Sequence, residues 1–146
     1  MNGTIFDVSA NRAIYGPGGS YNFFAGRDAT RAFVSGCFKE DLTPDLDGVE
    51  EMFIPVDDVD GADGSEKLTS REKKLRHERE VRAAKSQVQK QVQHWHNFFR
   101  DHKKYFEVGK IIGVSPKAPD QPKRELCEAA KRSRPKRGKA TNEESN

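Results

Sequence analysis

Long apolar runs are missing from this sequence. No stretch approaches the roughly 18 consecutive apolar residues that span a bilayer, and the opening MNGTIFDV lacks the basic and apolar regions of a secretory leader. Both absences predict a soluble, unsecreted chain. Cysteine is also scarce: Cys37 and Cys127 stand far apart, neither in a CxxC pair. That spacing indicates neither a disulfide framework nor a cysteine-rich zinc site, and it predicts free thiols in a reducing compartment. Core-forming residues are few as well. Of 146 residues, 34% are hydrophobic and 34% charged, which supports one small domain with polar extensions.

The common enzymatic signatures are absent too. There is no GxSxG, HExxH or Walker loop, and the GPGG at Gly16 to Gly19 is not a dinucleotide fingerprint. The four histidines, His77, His94, His96 and His102, fall on or at the end of one helical stretch. His94 and His96 are two apart and point to different faces, which argues against a shared metal site. Carboxylates cluster only where nothing would desolvate them, so an ordinary hydrolase is a poor fit. No catalytic residue is assigned.

What is present is segregated charge beneath a net charge of +3. Eleven acidic residues and no Lys or Arg lie between Glu40 and Glu66; twelve basic and four acidic residues follow between Lys67 and Lys104. KRSRPKRGK, from Lys131 to Lys139, is basic again. Charge blocks of this kind are usually solvated faces or tails.

The β-branched and aromatic run Thr4 to Val8 predicts a short strand, and Ser9 to Asn11 a turn. Gly16-Pro17-Gly18-Gly19 cannot be helical and must be a tight, shaped loop. Asp28 is positioned to cap a helix from Ala29 to Ser35, with Ala29, Ala32 and Phe33 inward and Gly36 ending it. Within the acidic stretch, about 40–67, Leu42, Leu46, Val49, Met52, Phe53 and Ile54 suggest one or two helical turns against the core. Residues beyond Pro55 read as a flexible insert. Thr69 or Ser70 then opens a long helix, about 69–101, with Glu72 in its first turn. Its first half is nearly all polar; its second half places Val81, Ala84, Val88, Val92, Trp95 and Phe99 at three- and four-residue steps and can pack. Tyr105 to Ile112 suit a closing strand, with Gly109 as a bulge or turn. After about Ser115, prolines and basic residues predict a disordered tail over 115–146, apart from a helical turn between Arg124 and Arg132.

The chain's three tyrosines remain. Tyr15 and Tyr21 bracket the glycine loop, and Tyr105 follows Lys104 at the closing strand. On its own, Tyr21, followed by Asn22, Phe23 and Phe24, reads either as a packed phenol with one hydrogen-bond partner or as an oxygen ligand to ferric haem iron.

The run DVSANRAIYGPGGSYNFFAGRDATRAFVSGCF resembles the core signature of the membrane-associated progesterone receptor family, haem-binding relatives of cytochrome b5. HWHNFFRDHKKYFEVGKIIG resembles that family's closing helix and strand. The two blocks cover a little over a third of the chain, and the ordered motif YGPxGxYxxFAGRDA(S/T)R is specific. The HPGG motif of cytochrome b5 itself is missing, which argues against ligation by two histidines.

The resemblance implies an α+β, cytochrome b5-like domain over residues 1–114 that binds haem b, and steroid in the same family sense, without being an enzyme. Tyr21 matches the axial iron ligand. Tyr15, Lys104 and Tyr105 match residues that support the haem through hydrogen bonds to a propionate or the axial tyrosine. The implied partners are haem, cytochromes P450 and a second copy of the chain joined through haem. The implied place is the endoplasmic reticulum or another endomembrane, on its cytosolic face. Asp28 and Arg31 within GRDATR read as structural, a cap and an ion pair. Relatives begin earlier, so the front of the fold is expected to be truncated here; the long basic helix and the acidic stretch before it are departures.

Two other readings stay open. One is a haem-free adaptor that binds proteins through the acidic stretch and the basic helix. The other is nucleic-acid association through the basic tail, ranked last because no aromatic platform adjoins it.

Overall fold

The computed structural model describes residues 1–56, 68–113 and 122–136. The remainder of the expected insert and of the expected tail lies outside the described residues. Six regular elements are numbered here in chain order: β1 (Thr4–Asp7), α1 (Arg12–Tyr15), α2 (Thr30–Ser35), α3 (Ser70–Asp101), β2 (Phe106–Lys110) and α4 (Glu128–Ser133). Three 3-10 turns, Ser9–Asn11, Asn22–Phe24 and Val49–Phe53, complete the backbone.

The longest element is fixed locally at its start. Thr69 accepts from the Glu72 backbone N–H at 3.1 Å, while the Glu72 carboxylate accepts from the Thr69 N–H at 2.8 Å. This reciprocal capping box satisfies two donors that a helix N-terminus would otherwise leave orphaned. Nothing from Ser70 to Arg82 is buried, so the polar first half of α3 stands in solvent. Farther along, Ala84, Val88, Val92 and Phe99 are buried at helical spacing. Val88 and Val92 meet Val34 of α2 and Val49, with Leu46, Met52 and Phe53 packed around them. Each fully buried valine contributes about 1.5–3 kcal/mol.

β1 and β2 pair antiparallel, Thr4 opposite Lys110 and Ile5 opposite Gly109. The register then slips: Phe6 faces Glu107, leaving Val108 as the extra residue beside Gly109. The expected irregularity is thus one residue from its expected place. A bulge there twists the ribbon as it passes over α3.

α2 is short and over-determined. Its N-cap residue, Ala29, has no side chain to cap with; Asp28 does the work one residue earlier, accepting from the Thr30 N–H at 3.1 Å, from the Thr30 hydroxyl, and from the Gly3 N–H at 2.9 Å. Gly36 ends the helix with φ of 78°, the left-handed conformation glycine adopts without penalty. Arg31 is fully buried. Its guanidinium donates to the carbonyls of Asp45 and Asp47 at 3.0 and 2.8 Å, and its Nε lies 3.4 Å from the Asp41 carboxylate. That carboxylate also accepts from the Ser35 hydroxyl at 2.7 Å.

Two expectations are overturned. Carboxylates of the acidic stretch are desolvated in part, since Asp41 and Asp45 are buried where the loop folds around Arg31. Cys37 and Cys127 are not free thiols; they form a disulfide across 90 residues with Cα atoms 6.6 Å apart. Residues 122–136 explain how they meet. The expected helical turn exists as α4, which packs on the Val49–Phe53 turn, and Leu126 and Ala130, spaced by four, are buried. Their burial brings Cys127 over the loop that follows α2. Such a pairing was invisible to spacing arguments because it depends on a distant polar segment docking first.

Candidate functional site

The site grows from the glycine loop. The Gly19 N–H donates to the Gly16 carbonyl at 2.9 Å, and the Tyr21 N–H returns to the Ile14 carbonyl at 2.9 Å, closing a compact loop between α1 and the Asn22–Phe24 turn. Gly19 has no alternative in this geometry, because a Cβ there would lie 2.2 Å from the Ile14 carbonyl oxygen. The closure brings the two tyrosines onto one side, with ring centroids 6.1 Å apart.

β2 brings the third. Tyr105 is buried, its ring 6.2 Å from Tyr15, and its hydroxyl accepts from Asn11 Nδ2 at 2.7 Å. His102 stacks on the Tyr105 ring at 3.8 Å between centroids and 14° between planes. Its Nδ1 accepts from the Lys104 backbone N–H at 3.1 Å, which fixes the turn carrying Lys104 into the strand; Lys104 itself is exposed.

The phenols differ in environment. Tyr21 is 43% exposed, with Phe23 and Phe24 at 6.1 and 5.7 Å. Tyr15 is half-buried, and desolvation together with Tyr105 and Tyr21 nearby pushes its pKa up to about 12. It therefore stays a protonated donor throughout the physiological range. The result is one accessible phenol backed by a protonated one and a buried one. A phenolate is a hard oxygen donor suited to ferric iron, and tyrosine is among the side chains that hold haem. The donor set fits a haem.

The sequence-expected residues Tyr15, Tyr21 and Tyr105 are thus brought together. Lys104 is adjacent through the backbone, with no side-chain partner to the other three. Asn11 and His102, which position Tyr105, were not assigned roles from sequence; the only available signal was His102 falling three residues before Tyr105 at a helix end. Behind the tyrosines runs an aromatic chain: Phe24 stacks on Phe33 at 4.9 Å, and Phe33 meets Trp95 at 5.2 Å and Phe99 at 5.9 Å.

A cavity of about 540 Å³ is lined by Tyr15 but not by Tyr21; Ile5, Phe6, Phe24, Phe33 and Phe99 are among the other residues that line it. Tyr15 thus borders both the cavity and the tyrosine cluster. Among the described residues, the one cluster with metal-ligand spacing is Cys37, Asp41 and Cys127, whose sulfurs are joined to each other.

Comparison with known proteins identifies the family of the domain. Residues 1–112 match the family model of the cytochrome b5-like Heme/Steroid binding domain. The chain is 58% identical over 53 residues to membrane-associated progesterone-binding protein 4 of Arabidopsis thaliana, covering 36% of this chain and 22% of that protein. It is 58% identical over 53 residues to neuferricin of Danio rerio, covering 36% and 20%. To neuferricin of Mus musculus it is 33% identical over 111 residues, 76% of this chain and 28% of that protein. The matched stretch is thus between a fifth and a third of each of these relatives. No solved structure matches. The chain belongs to the cytochrome b5-like haem/steroid-binding domain family, in its membrane-associated progesterone receptor branch. It is a haem/steroid-binding type of domain with an α+β fold, and among the described residues no helix is long and apolar enough to cross a membrane.

Proposed function

We propose that the domain is a binding module, not an enzyme, that takes haem b through the Tyr21 phenolate as axial ligand. The observation that carries this reading is the exposure of Tyr21 beside two phenols that are not comparably free, Tyr15 and Tyr105. Tyr15, kept protonated, donates toward the phenolate or a propionate. Tyr105, oriented by Asn11 and His102, holds the Tyr15 side of the loop, and Lys104 offers an ammonium to a carboxylate. Bound haem supplies a ferric iron whose reduction potential an anionic oxygen ligand keeps low. Association of two copies through the uncovered face of the haem belongs to the same reading.

The cavity of about 540 Å³ that Tyr15 borders supports a second apolar ligand of sterol type. Support of cytochromes P450 and handling of haem are the processes the resemblance implies, at an endomembrane. The relatives named membrane-associated or membrane steroid-binding favour that location. A disulfide persists in oxidising surroundings, so the Cys37–Cys127 bond favours the oxidising face of such a membrane over the cytosolic one, and haem handling over a cytosolic P450 partnership.

Titrating purified protein with hemin tests the core of the reading. A high-spin ferric spectrum at one equivalent is expected, with Tyr21→Phe abolishing most of it; an unchanged spectrum in that variant sinks the assignment.

A further inference from the structure

The Cys37–Cys127 bond has no role in the tyrosine site, and its surroundings have the form of a fastening. Residues 122–136 lie along the acidic stretch as a strap. Arg124 donates to the Glu40 carbonyl at 2.7 Å and its Nε is 3.5 Å from the Asp41 carboxylate. Lys123 Nζ lies 2.7 Å from Glu51, Arg134 donates to the Ile54 carbonyl at 3.1 Å, and the Val56 N–H donates to the Pro135 carbonyl at 2.8 Å. A basic segment thus covers an acidic one. The contact reaches the interior as well, since Arg31 Nη2 lies 3.5 Å from the carbonyls of Arg124 and Glu125.

Most of these ties are exposed, and ion pairs in water hold segments weakly. The apolar anchor is small, essentially Leu126 and Ala130. One covalent bond therefore carries much of the docking. Its two ends differ: Cys37 is buried, whereas Cys127 is only partly so. Exchange therefore begins at Cys127 once the strap lifts, because its sulfur is buried with Cys37 and Asp41 while the strap is docked.

We infer that Cys37 and Cys127 form a reversible thiol–disulfide site that latches the strap onto the acidic stretch, so that the thiol poise of the surroundings decides whether that acidic face is covered. Opening is two exchanges with a low-molecular-weight thiol. The first thiolate attacks Cys127 Sγ, forms a mixed disulfide and releases Cys37 as a thiolate, which takes up a proton. A second thiolate displaces Cys127, and the two external sulfurs leave as one small disulfide; the protein gains two electrons and two protons. Closing is the reverse, with oxidised glutathione as oxidant. With the bond open, Asp41 keeps Arg31 but is no longer tied to Arg124, and the Val49–Phe53 turn loses the cover of α4.

The test uses the full chain oxidised with glutathione disulfide, then divided between buffer and buffer with dithiothreitol. Intact mass after alkylation reports the bond: without reductant, no alkyl group is added and the mass is lower by two hydrogens. Limited trypsin digestion reads the strap at Lys123, Arg124, Lys131 and Arg132. Cleavage there is expected to accelerate about tenfold or more on reduction, as it does when cutting follows the population of an opened segment. Reoxidation is expected to restore protection. Cys127→Ser is expected to be cut at the reduced rate whether or not dithiothreitol is present; should that variant fail to fold, the wild-type arms decide alone. Alkylation of both cysteines without reductant, or equal cleavage with and without dithiothreitol, overturns the inference. Neither readout depends on haem.

Discussion

The Tyr105 hydroxyl accepts a hydrogen bond from Asn11 Nδ2 at 2.7 Å, joining residues 94 apart in the chain. Asn11 closes the turn after β1, and Tyr105 immediately precedes β2, so the bond ties the segments that flank the two strands' shared end. It also aims the Tyr105 ring at Tyr15. Removing the hydroxyl in Tyr105→Phe leaves the Asn11 amide unpaired and is expected to cost about 1 kcal/mol of stability, read as a lower urea midpoint with unchanged slope. Hemin affinity is expected to fall in the same variant. A loss of stability with hemin affinity intact would confine Tyr105 to a structural role.

Tyr15 makes a pH prediction. Its folded-state pKa is about 12 against an ordinary 10.0, raised first by burial. Between those values the folded chain holds a proton that the unfolded chain has lost. The contribution is therefore fully present below pH 10 and declines as pH rises through about 12. Phenolate absorbance should show a late ionisation step near pH 12, and Tyr15→Phe should delete it.

Asp28 titrates in the opposite direction. Burial works against its carboxylate, but hydrogen bonds from the Thr30 hydroxyl and from the N–H groups of Gly3 and Thr30 outweigh it and hold its pKa below the usual value. Its contribution is present above the unfolded carboxylate pKa and is lost as pH falls through the lower folded value. In Asp28→Asn the acid-side decline of the thermal midpoint is expected to be shallower than in wild type.

Arg31 and Asp41 form a buried pair, at 0% and 2% exposure. Arg31→Met strands the carboxylate with fewer partners and leaves the Asp45 and Asp47 carbonyls without their donor. A loss of about 3 kcal/mol is expected in urea unfolding. Arg31→Lys should recover little, because an ammonium cannot reproduce a planar fork that meets two carbonyls and a carboxylate.

What the sequence disclosed and what it withheld divides along range. The capping box at Thr69 and Glu72 and the stop at Gly36 depend on residues within four positions of each other, and they stand where the pattern put them. Val88 and Val92 were legible as core because helical periodicity needs no knowledge of what they pack against. Tyr15, Tyr21 and Tyr105 were singled out by type and flanks, and by a resemblance that carried their roles; their mutual distances came only with the fold. Cys127 was misread because its neighbourhood is polar and proline-punctuated, and such composition argues for solvent. The spacing of Leu126 and Ala130 around it was the one local sign of a buried face. A disulfide closes only where tertiary packing brings two sulfurs together, and no window of sequence contains that event.

Gly48 separates the strap's contacts from its covalent tie. It adopts a φ of 86°, and a Cβ there would lie 2.7 Å from the Arg124 carbonyl oxygen and 2.9 Å from the Lys123 side chain. Gly48→Ala therefore carries two costs: the left-handed backbone, about 1–2 kcal/mol, and displacement of the strap. Gly18 supplies the control. Its φ is 83° and nothing lies within 4 Å of its Cβ position, so Gly18→Ala bears the backbone cost alone. Both variants are expected to unfold at lower urea than wild type. Only Gly48→Ala is expected to be cut faster by trypsin at Lys123 and Arg124 while the Cys37–Cys127 bond is intact. Equal cleavage in the two variants would mean that the disulfide holds the strap without help from its fit against Gly48.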